Sequence, residues 1–189
     1  ALALAADGAR VGVLDADIYG PSMPRMLGVS GPPETEGNRI VPMRAHGVQV
    51  MSIGCMVDAD TPMIWRGPMV TSALQQLLSE TNWESLDFLV IDLPPGTGDI
   101  QLTLSQNIPV SGCVIVTTPQ DIATLDARKA VQMFRKVEMS VLGIVEDMST
   151  HVCSQCGNEE PIFGSGGGGR MAEQYDLPLL GQLPLALRI

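Results

Sequence analysis

Short apolar runs alternate along the chain with longer segments in which apolar residues recur at helical spacing. We predict strands near residues 10 to 15, 48 to 54, 87 to 92, 111 to 117, 140 to 146 and 178 to 183. We predict helices near residues 1 to 7, 69 to 80, 99 to 107, 121 to 137 and 169 to 176. This alternation predicts an α/β fold with a doubly wound, mostly parallel sheet and helices on both faces.

The segment from Ser30 to Gly47 interrupts this alternation, because it is rich in Gly, Pro and charge. It predicts a surface excursion with an irregular hairpin. With 189 residues, of which 45% are hydrophobic, the chain can bury one substantial core, and we expect a single domain over residues 1 to 189.

The charge balance limits the classes of partner. A net charge of -10 and a sequence pI near 4.4 argue against nucleic acid or an anionic membrane as a main partner. No apolar run is long enough for a transmembrane helix. Four cysteines without a disulfide-like framework suit a reducing cytoplasm.

The segment from Trp83 to Asp99 carries the strongest chemical signal. Its apolar run, Phe88 to Ile91, ends at Asp92 and is followed by a Pro-Pro-Gly-Thr-Gly turn that contains Gly96. A carboxylate at the rim of a parallel sheet suits a Walker B aspartate that holds the water shell of Mg²⁺, and the glycine turn suits a switch loop that senses a γ-phosphate. An ordinary strand exit with a solvated Asp is the alternative.

A second strand, residues 10 to 14, ends in Asp15 and Asp17. Residues i and i+2 of an extended chain point the same way, so these carboxylates repel each other unless a cation or a water molecule shares them. The pair suggests Mg²⁺ binding or positioning of a nucleophile. A turn or helix-capping pair before Gly20 and Pro21 is the alternative.

The sequence has no complete phosphate-binding loop. Its only lysines, Lys129 and Lys136, lie in a helical pattern and suit a solvated helix face. The glycine tract from Gly164 to Gly169 is followed by Arg-Met rather than by Lys and Ser or Thr, and no adequate strand precedes it, so we reject it as a P-loop. We expect instead that it is a mobile tract beside the Cys-x-x-Cys turn described below.

The first residues, Ala1 to Gly8, have the pattern of the end of a buried helix closed by Gly8. In a βαβ unit the phosphate loop precedes that helix. We therefore expect a domain truncated at its N-terminus, without the P-loop strand and loop, and also at its C-terminus. The chain as given should be inactive as an ATPase.

The four cysteines differ in setting. Cys55 and Cys113 lie in apolar strand-like runs and should be buried small hydrophobes. Cys153 and Cys156 form a Cys-x-x-Cys turn in a polar loop and present two thiolates, which is half of a metal site. A two-fold dimer would complete a four-cysteine site for a 4Fe-4S cluster or for zinc. A redox dithiol remains open, and His151 suits a plain loop residue.

Five segments are similar, in this order, to the Mrp/ApbC-type iron-sulfur cluster carriers, P-loop ATPases of the MinD/ParA (SIMIBI) class. These segments are Asp15 to Ser22, Ile64 to Met69, Trp83 to Asp99, Thr117 to Asp121 and Cys153 to Cys156. The resemblance implies a homodimeric, cytoplasmic ATPase that holds a labile 4Fe-4S cluster between subunits and works with scaffold proteins and apo-proteins. It implies that Asp17 positions the attacking water and that Asp15 and Asp92 organise Mg²⁺ and ATP. A partitioning-type ATPase relative or a scaffold with structural zinc is the competing function.

Three positions depart from the family pattern. Asp147 stands where Asn is usual. An Asp side chain can only accept hydrogen bonds from the edge of an adenine, whereas Asn can also donate. Ala186 replaces an Asp near the expected base pocket, and Ser154 replaces a Pro in the cysteine turn. The first two changes weaken the expected preference for adenine.

Overall fold

The computed structural model describes residues 1–56, 67–98, 100–102, 104 and 108–187. Residues 64–66 and Asp99 of the family-like segments lie outside the described residues, as does part of the helix expected near 99 to 107. The chain divides into two compact units, Ala1–Pro95 and Gly96–Ile189, which are described separately. The single-domain organisation stays a prediction.

The first unit contains helices α1 (Leu2–Ala6), α2 (Met23–Leu27) and α3 (Gly67–Glu80), and strands β1 (Val11–Asp15), β2 (Thr35–Glu36), β3 (Arg39–Ile40), β4 (Met43–Ala45), β5 (Val48–Ser52) and β6 (Phe88–Asp92). Its main sheet has the order β4-β5-β1-β6. The β5, β1 and β6 strands are parallel, and β4 is antiparallel to β5. A mostly parallel sheet was predicted and is confirmed here.

The core of this unit follows from continuous apolar strands. Every residue of β1 and β5 is buried, which is typical of central strands covered on both faces. Their valines form a cluster with Leu27 of α2, and Leu4 and Ala5 of α1 pack against it. In α3, Val70, Leu74 and Leu77 recur at helical spacing and are buried.

The second unit contains strands β7 (Cys113–Thr117), β8 (Val141–Glu146), β9 (His151–Val152), β10 (Glu159–Glu160) and β11 (Leu179–Gln182), and helices α4 (Asp121–Lys136) and α5 (Gly167–Tyr175). Its three-stranded sheet has the order β11-β8-β7 and is parallel throughout. The α4 helix buries one stripe, Thr124, Ala127, Val131 and Phe134. Arg135 of α4 lies over the Tyr175 ring of α5, with its guanidinium carbon 5.6 Å from the ring centre.

Several elements differ from the sequence predictions. The strand expected to reach residue 54 ends at Ser52, and residues Ile53–Cys55 form a short 3₁₀ helix. The excursion from Ser30 to Gly47 does contain a small hairpin, β2 with β3. The α2 helix was not predicted, although Pro24 near its start and Gly28 just after its end are the expected boundary residues. Within the described ranges, no helix is long and apolar enough to cross a membrane.

Candidate functional site

Three polar residues form a row at the carboxyl edge of the first sheet. Asp15 ends β1 and lies opposite Ser52 of β5 on one side and Asp92 of β6 on the other. Because parallel strands present their carboxyl ends at the same edge, the two acids predicted from separate motifs are neighbours in space. This set, with Asp17 in the following loop, is called the acid edge below.

Asp15 is the most enclosed member of the acid edge. It has 0% relative exposure, and both carboxylate oxygens accept hydrogen bonds from this chain. Oδ1 accepts the Asp17 N–H at 3.1 Å. Oδ2 accepts the Met23 N–H and the Ser52 hydroxyl, each at 3.1 Å. A direct role of Asp15 at Mg²⁺ stays a prediction, whereas these bonds give it an evident structural role in shaping the loop.

Asp17 lies in that loop and is half-buried. Its Oδ1 accepts the N–H groups of Tyr19 and Gly20, each at 3.1 Å. Its Oδ2 has no hydrogen-bond partner among the described residues. Asp17 is therefore fixed through one oxygen and can present the other to water or a ligand.

Asp92 is half-buried at the end of β6. Burial, followed by the negative charges of Asp15 and Asp17, raises its pKa above the usual value for Asp. Because two neighbouring acids disfavour the ionisation of Asp92, a cation bound at this edge would be strongly stabilising. Oxygen donors of this kind, acting directly or through water, suit Mg²⁺.

Gly96 and Asp147 belong to the second unit. Gly96 is exposed with a φ of 100°, a conformation that favours glycine. Asp147 directly follows β8, and its N–H donates to the Thr117 carbonyl at 2.8 Å. Asp147 Oδ1 accepts the Met148 N–H at 2.9 Å. Asp147 is thus held at the carboxyl edge of the second sheet, and its contact with a nucleobase stays a prediction.

The two candidate cysteine ligands lie in the turn of a small hairpin. Strands β9 and β10 pair antiparallel on either side of it, so the motif is more ordered than the polar loop we expected. The Cys153 N–H donates to the Asn158 carbonyl, and the Gly157 N–H donates to the Cys153 carbonyl, each at 2.9 Å. These bonds fold the chain back so that Cys153 and Cys156 lie in one turn.

The hydrogen bonds of this turn also lower the pKa of one of its two thiols. The backbone N–H of Cys156, then that of Gln155, and then the Cys156 side chain lower the pKa of Cys153, although Glu160 opposes the shift. No helix is needed for this effect, because inward-pointing amides supply the positive potential. Cys153 is half-buried and Cys156 exposed, so an incoming ion or cluster can reach them.

The other two cysteines lack these properties. Cys55 is buried as predicted, and burial and then Asp15 raise its pKa. Cys113 is only partly buried, although burial raises its pKa to about 11. In the described parts of the chain, no three His, Cys, Asp or Glu residues are grouped as a metal site. Cys153 and Cys156 are thus a two-ligand half-site here.

The glycine tract from Gly164 to Gly169 was expected to be mobile, which stays a prediction, but the second half of the tract is packed in a helix. Residues Gly167 to Gly169 begin α5, and a Cβ at Gly167 would lie 2.4 Å from the Pro119 carbonyl oxygen. The buried Glu146 carboxylate accepts the Gly168 N–H at the start of this helix. The Glu146 side chain therefore caps the N-terminus of this helix.

Two residues near the acid edge were missed in the sequence. Ser52 is fully buried beside Asp15. Gly54 follows it in the 3₁₀ helix, and a Cβ there would lie 2.8 Å from Pro21. Neither belongs to a motif that predicts chemistry, so only their spatial relation to Asp15 identifies them.

The α/β fold, with strand-end acids at one edge of a parallel sheet, has counterparts among solved structures. An ADP-bound nucleotide-binding protein from Archaeoglobus fulgidus superposes with a TM-score of 0.82 at 34% identity, over 97% of this chain and 72% of that one. The cell-division ATPase MinD of Pyrococcus furiosus gives 0.63 at 20% identity, over 97% and 73%. The fold is that of the MinD/ParA P-loop NTPases.

The family model described as "ParA: NUBPL iron-transfer P-loop NTPase" matches residues 1–189. This chain belongs to that family. It is 62% identical to the iron-sulfur cluster carrier protein of Haemophilus influenzae, over 100% of this chain and 52% of the relative. It is 50% identical to the iron-sulfur cluster transfer protein NUBPL of Mus musculus, over 100% of this chain and 60% of the relative. The chain thus spans little more than half the length of these curated relatives.

Proposed function

We propose that this chain is the nucleotide- and cluster-binding part of an ATP-dependent iron-sulfur cluster carrier. In this proposal a homodimer binds one 4Fe-4S cluster as cargo, through Cys153 and Cys156 of each subunit, and transfers it to apo-proteins. Scaffold proteins deliver the cluster, and the cytoplasm is the compartment. The names of the relatives support an iron-sulfur cluster as the cargo and support its transfer.

The single observation that carries the proposal is the cysteine hairpin. Its amides lower the pKa of Cys153, and thiolates are the form in which cysteines bind iron. The turn is exposed, which a cluster that must leave the protein requires. Two thiolates per chain leave half of a four-cysteine site, and a two-fold axis would supply the other half.

The acid edge supports the nucleotide part of the proposal. Asp92 would hold the water shell of Mg²⁺, because burial and then the charges of the neighbouring acids raise its pKa, and a cation would relieve that repulsion. The ion would neutralise charge on the phosphates of ATP. Asp17 would orient the attacking water through Oδ2, while its Oδ1 stays bonded to the loop backbone. Gly96 would supply the flexible point of a γ-phosphate-sensing loop.

Anaerobic reconstitution with ferrous iron and sulfide tests the cargo. We expect a brown protein with about four irons per two chains, sedimenting as a dimer, whose colour bleaches in air. Its cluster should pass to an apo-protein that takes a 4Fe-4S cluster. Binding of one zinc without iron, or a full cluster on a monomer, would contradict the proposal and favour the structural-zinc alternative.

The sequence itself lacks the amide cradle and lysine that bind the β- and γ-phosphates. We therefore propose that this chain by itself binds Mg²⁺-ATP weakly and does not hydrolyse it, and that activity needs a phosphate-binding loop. Calorimetry with Mg²⁺-ATP, on this chain and on a version that carries a phosphate-binding loop, tests the proposal. Tight, Mg²⁺-dependent binding by the chain as given would disprove it.

A further inference from the structure

The loop that carries Asp17 is connected to the end of β5 by a continuous chain of hydrogen bonds, of which the central one, between Ser52 and Asp15, is buried. The Gly54 N–H donates to Ser52 Oγ at 3.0 Å. The Ser52 hydroxyl in turn donates to Asp15 Oδ2 at 3.1 Å. The other oxygen of Asp15 accepts the Asp17 N–H at 3.1 Å.

This chain of bonds continues to the candidate catalytic side chain. Asp17 Oδ1 closes the loop by accepting the N–H groups of Tyr19 and Gly20. Ser52 and Asp15 both have 0% exposure, so water cannot replace a bond that is lost between them. Buried bonds to a carboxylate are stronger than neutral ones and fix geometry more closely.

A steric contact acts on the same loop. A Cβ at Gly54 would lie 2.8 Å from both Cβ and Cγ of Pro21. The 3₁₀ helix therefore packs directly against the loop, and only a glycine allows this approach. The hydrogen bonds and the contact both originate in residues 52–54, at the end of β5 and the start of the 3₁₀ helix.

We propose that Ser52 and Gly54 are positioning residues, which act through Asp15 and Pro21 to hold Asp17 in its working orientation. Neither residue touches the reacting atoms. The catalytic consequence rests on the proposed ATPase function, whereas the structural consequence does not. Asp15 is the relay in this arrangement, because its two oxygens join Ser52 to the Asp17 backbone.

Amide hydrogen exchange on the chain as given tests the relay without any catalysis. Ser52→Ala should speed exchange at Asp17, Tyr19 and Gly20 by about tenfold or more. The reason is that loss of a hydrogen bond makes local opening of the loop more favourable. The amides of β1 and β5 should keep their protection. Gly54→Ala should give the same local pattern, because its methyl group displaces Pro21.

Ser149→Ala is the matched control. Ser149 is also a buried serine after a strand, and its hydroxyl donates to the Leu183 carbonyl in the second unit. Ser149→Ala should leave amide exchange at Asp17 unchanged. Unchanged exchange at Asp17 in Ser52→Ala, or equal acceleration throughout β1 and β5, would overturn the relay.

Steady-state kinetics in a version that carries a phosphate-binding loop test the catalytic consequence. Ser52→Ala should lower kcat by between about tenfold and 10²-fold with little change in KM for ATP, because misplacement affects the transition state more than binding. Faster exchange with unchanged kcat would overturn the catalytic role. If the unsubstituted protein does not hydrolyse ATP, the proposed function fails while the exchange result still decides the relay.

Discussion

The acid edge and the cysteine hairpin are built in opposite ways. At the acid edge, the Ser52 to Asp15 bond joins residues 37 positions apart, and both partners are fully buried. In the hairpin, the bonds that shape the turn join residues between Cys153 and Asn158, and its residues are largely exposed. One site depends on the sheet, and the other on a few neighbouring residues.

This difference matches two kinds of chemistry. Positioning a water molecule against a phosphate requires groups held in fixed geometry away from bulk solvent. Releasing a cluster to another protein requires ligands that the recipient can reach. We therefore expect substitutions in the hairpin to change the number of ligands available to the cluster. Substitutions at the acid edge should instead change the geometry and charge of the nucleotide site.

The largest expected effect is the loss of the cluster when one hairpin thiolate is removed. Cys153→Ala and Cys156→Ala should each abolish iron binding on anaerobic reconstitution, because a dimer would then offer two cysteines instead of four. Iron content and visible absorption measure the result. Cys55→Ala and Cys113→Ala are controls that should bind iron normally, and a requirement for either would place the cluster elsewhere.

Two substitutions at the acid edge should have different effects in a version of the protein with a phosphate-binding loop: one should affect turnover and the other nucleotide binding. Asp17→Asn keeps the shape of the side chain but removes its charge, and should lower kcat by about 10²-fold while ATP still binds. Asp92→Asn should instead weaken binding of Mg²⁺-ATP, because it removes a carboxylate proposed to hold the water shell of the cation. Phosphate release and calorimetry measure the two effects. Equal turnover in Asp17→Asn and the unsubstituted protein would remove Asp17 from its role.

A smaller effect is expected at the proposed nucleobase contact. Asp147 can only accept hydrogen bonds, whereas Asn both donates and accepts. Asp147→Asn should therefore shift the ratio of ATP to GTP affinity towards ATP, by about tenfold for one gained hydrogen bond. Competition binding in the version with a phosphate-binding loop measures the ratio. An unchanged ratio would place Asp147 outside the base pocket.

The smallest effect is expected at the amino ends of β1 and β6, far along the strands from the acid edge. The Arg10 guanidinium lies 2.7 Å from Asp87, and its side-chain and then backbone hydrogen bonds lower the pKa of Asp87 to about 2. This pKa lies below the unfolded value of ~3.9, so the pair stabilises the fold above about pH 4 and loses that contribution towards pH 2.

Asp87→Asn should accordingly lower the denaturation midpoint slightly at neutral pH, because exposed ion pairs stabilise little. The difference from the unsubstituted protein should shrink as the pH falls through about 2. Denaturant titrations over this range measure it. A difference that stays constant with pH would show that the substitution acts through packing rather than through the charge of Asp87.

The sequence by itself determined the parallel strands of both sheets, since their continuous apolar runs suit burial in a parallel α/β arrangement, but it did not predict the short antiparallel β4. It also identified Asp15, Asp17 and Asp92 as strand-end acids, and Cys153 and Cys156 as a local pair, because these signals lie within a few neighbouring residues. The packing of Gly167 against Pro119 and of Gly168 against Glu146 was not predicted, since glycine content indicates conformational freedom but not close packing.

The tertiary structure alone decided which strands are neighbours, and so which acids repel each other. It brought Ser52 beside Asp15 and Gly54 beside Pro21, contacts between residues that share no local pattern. It also revealed that backbone amides, rather than a helix dipole, lower the pKa of Cys153. The physical reason is that hydrogen bonds, charge repulsion and close packing depend on distance in space, whereas sequence patterns report only distance along the chain.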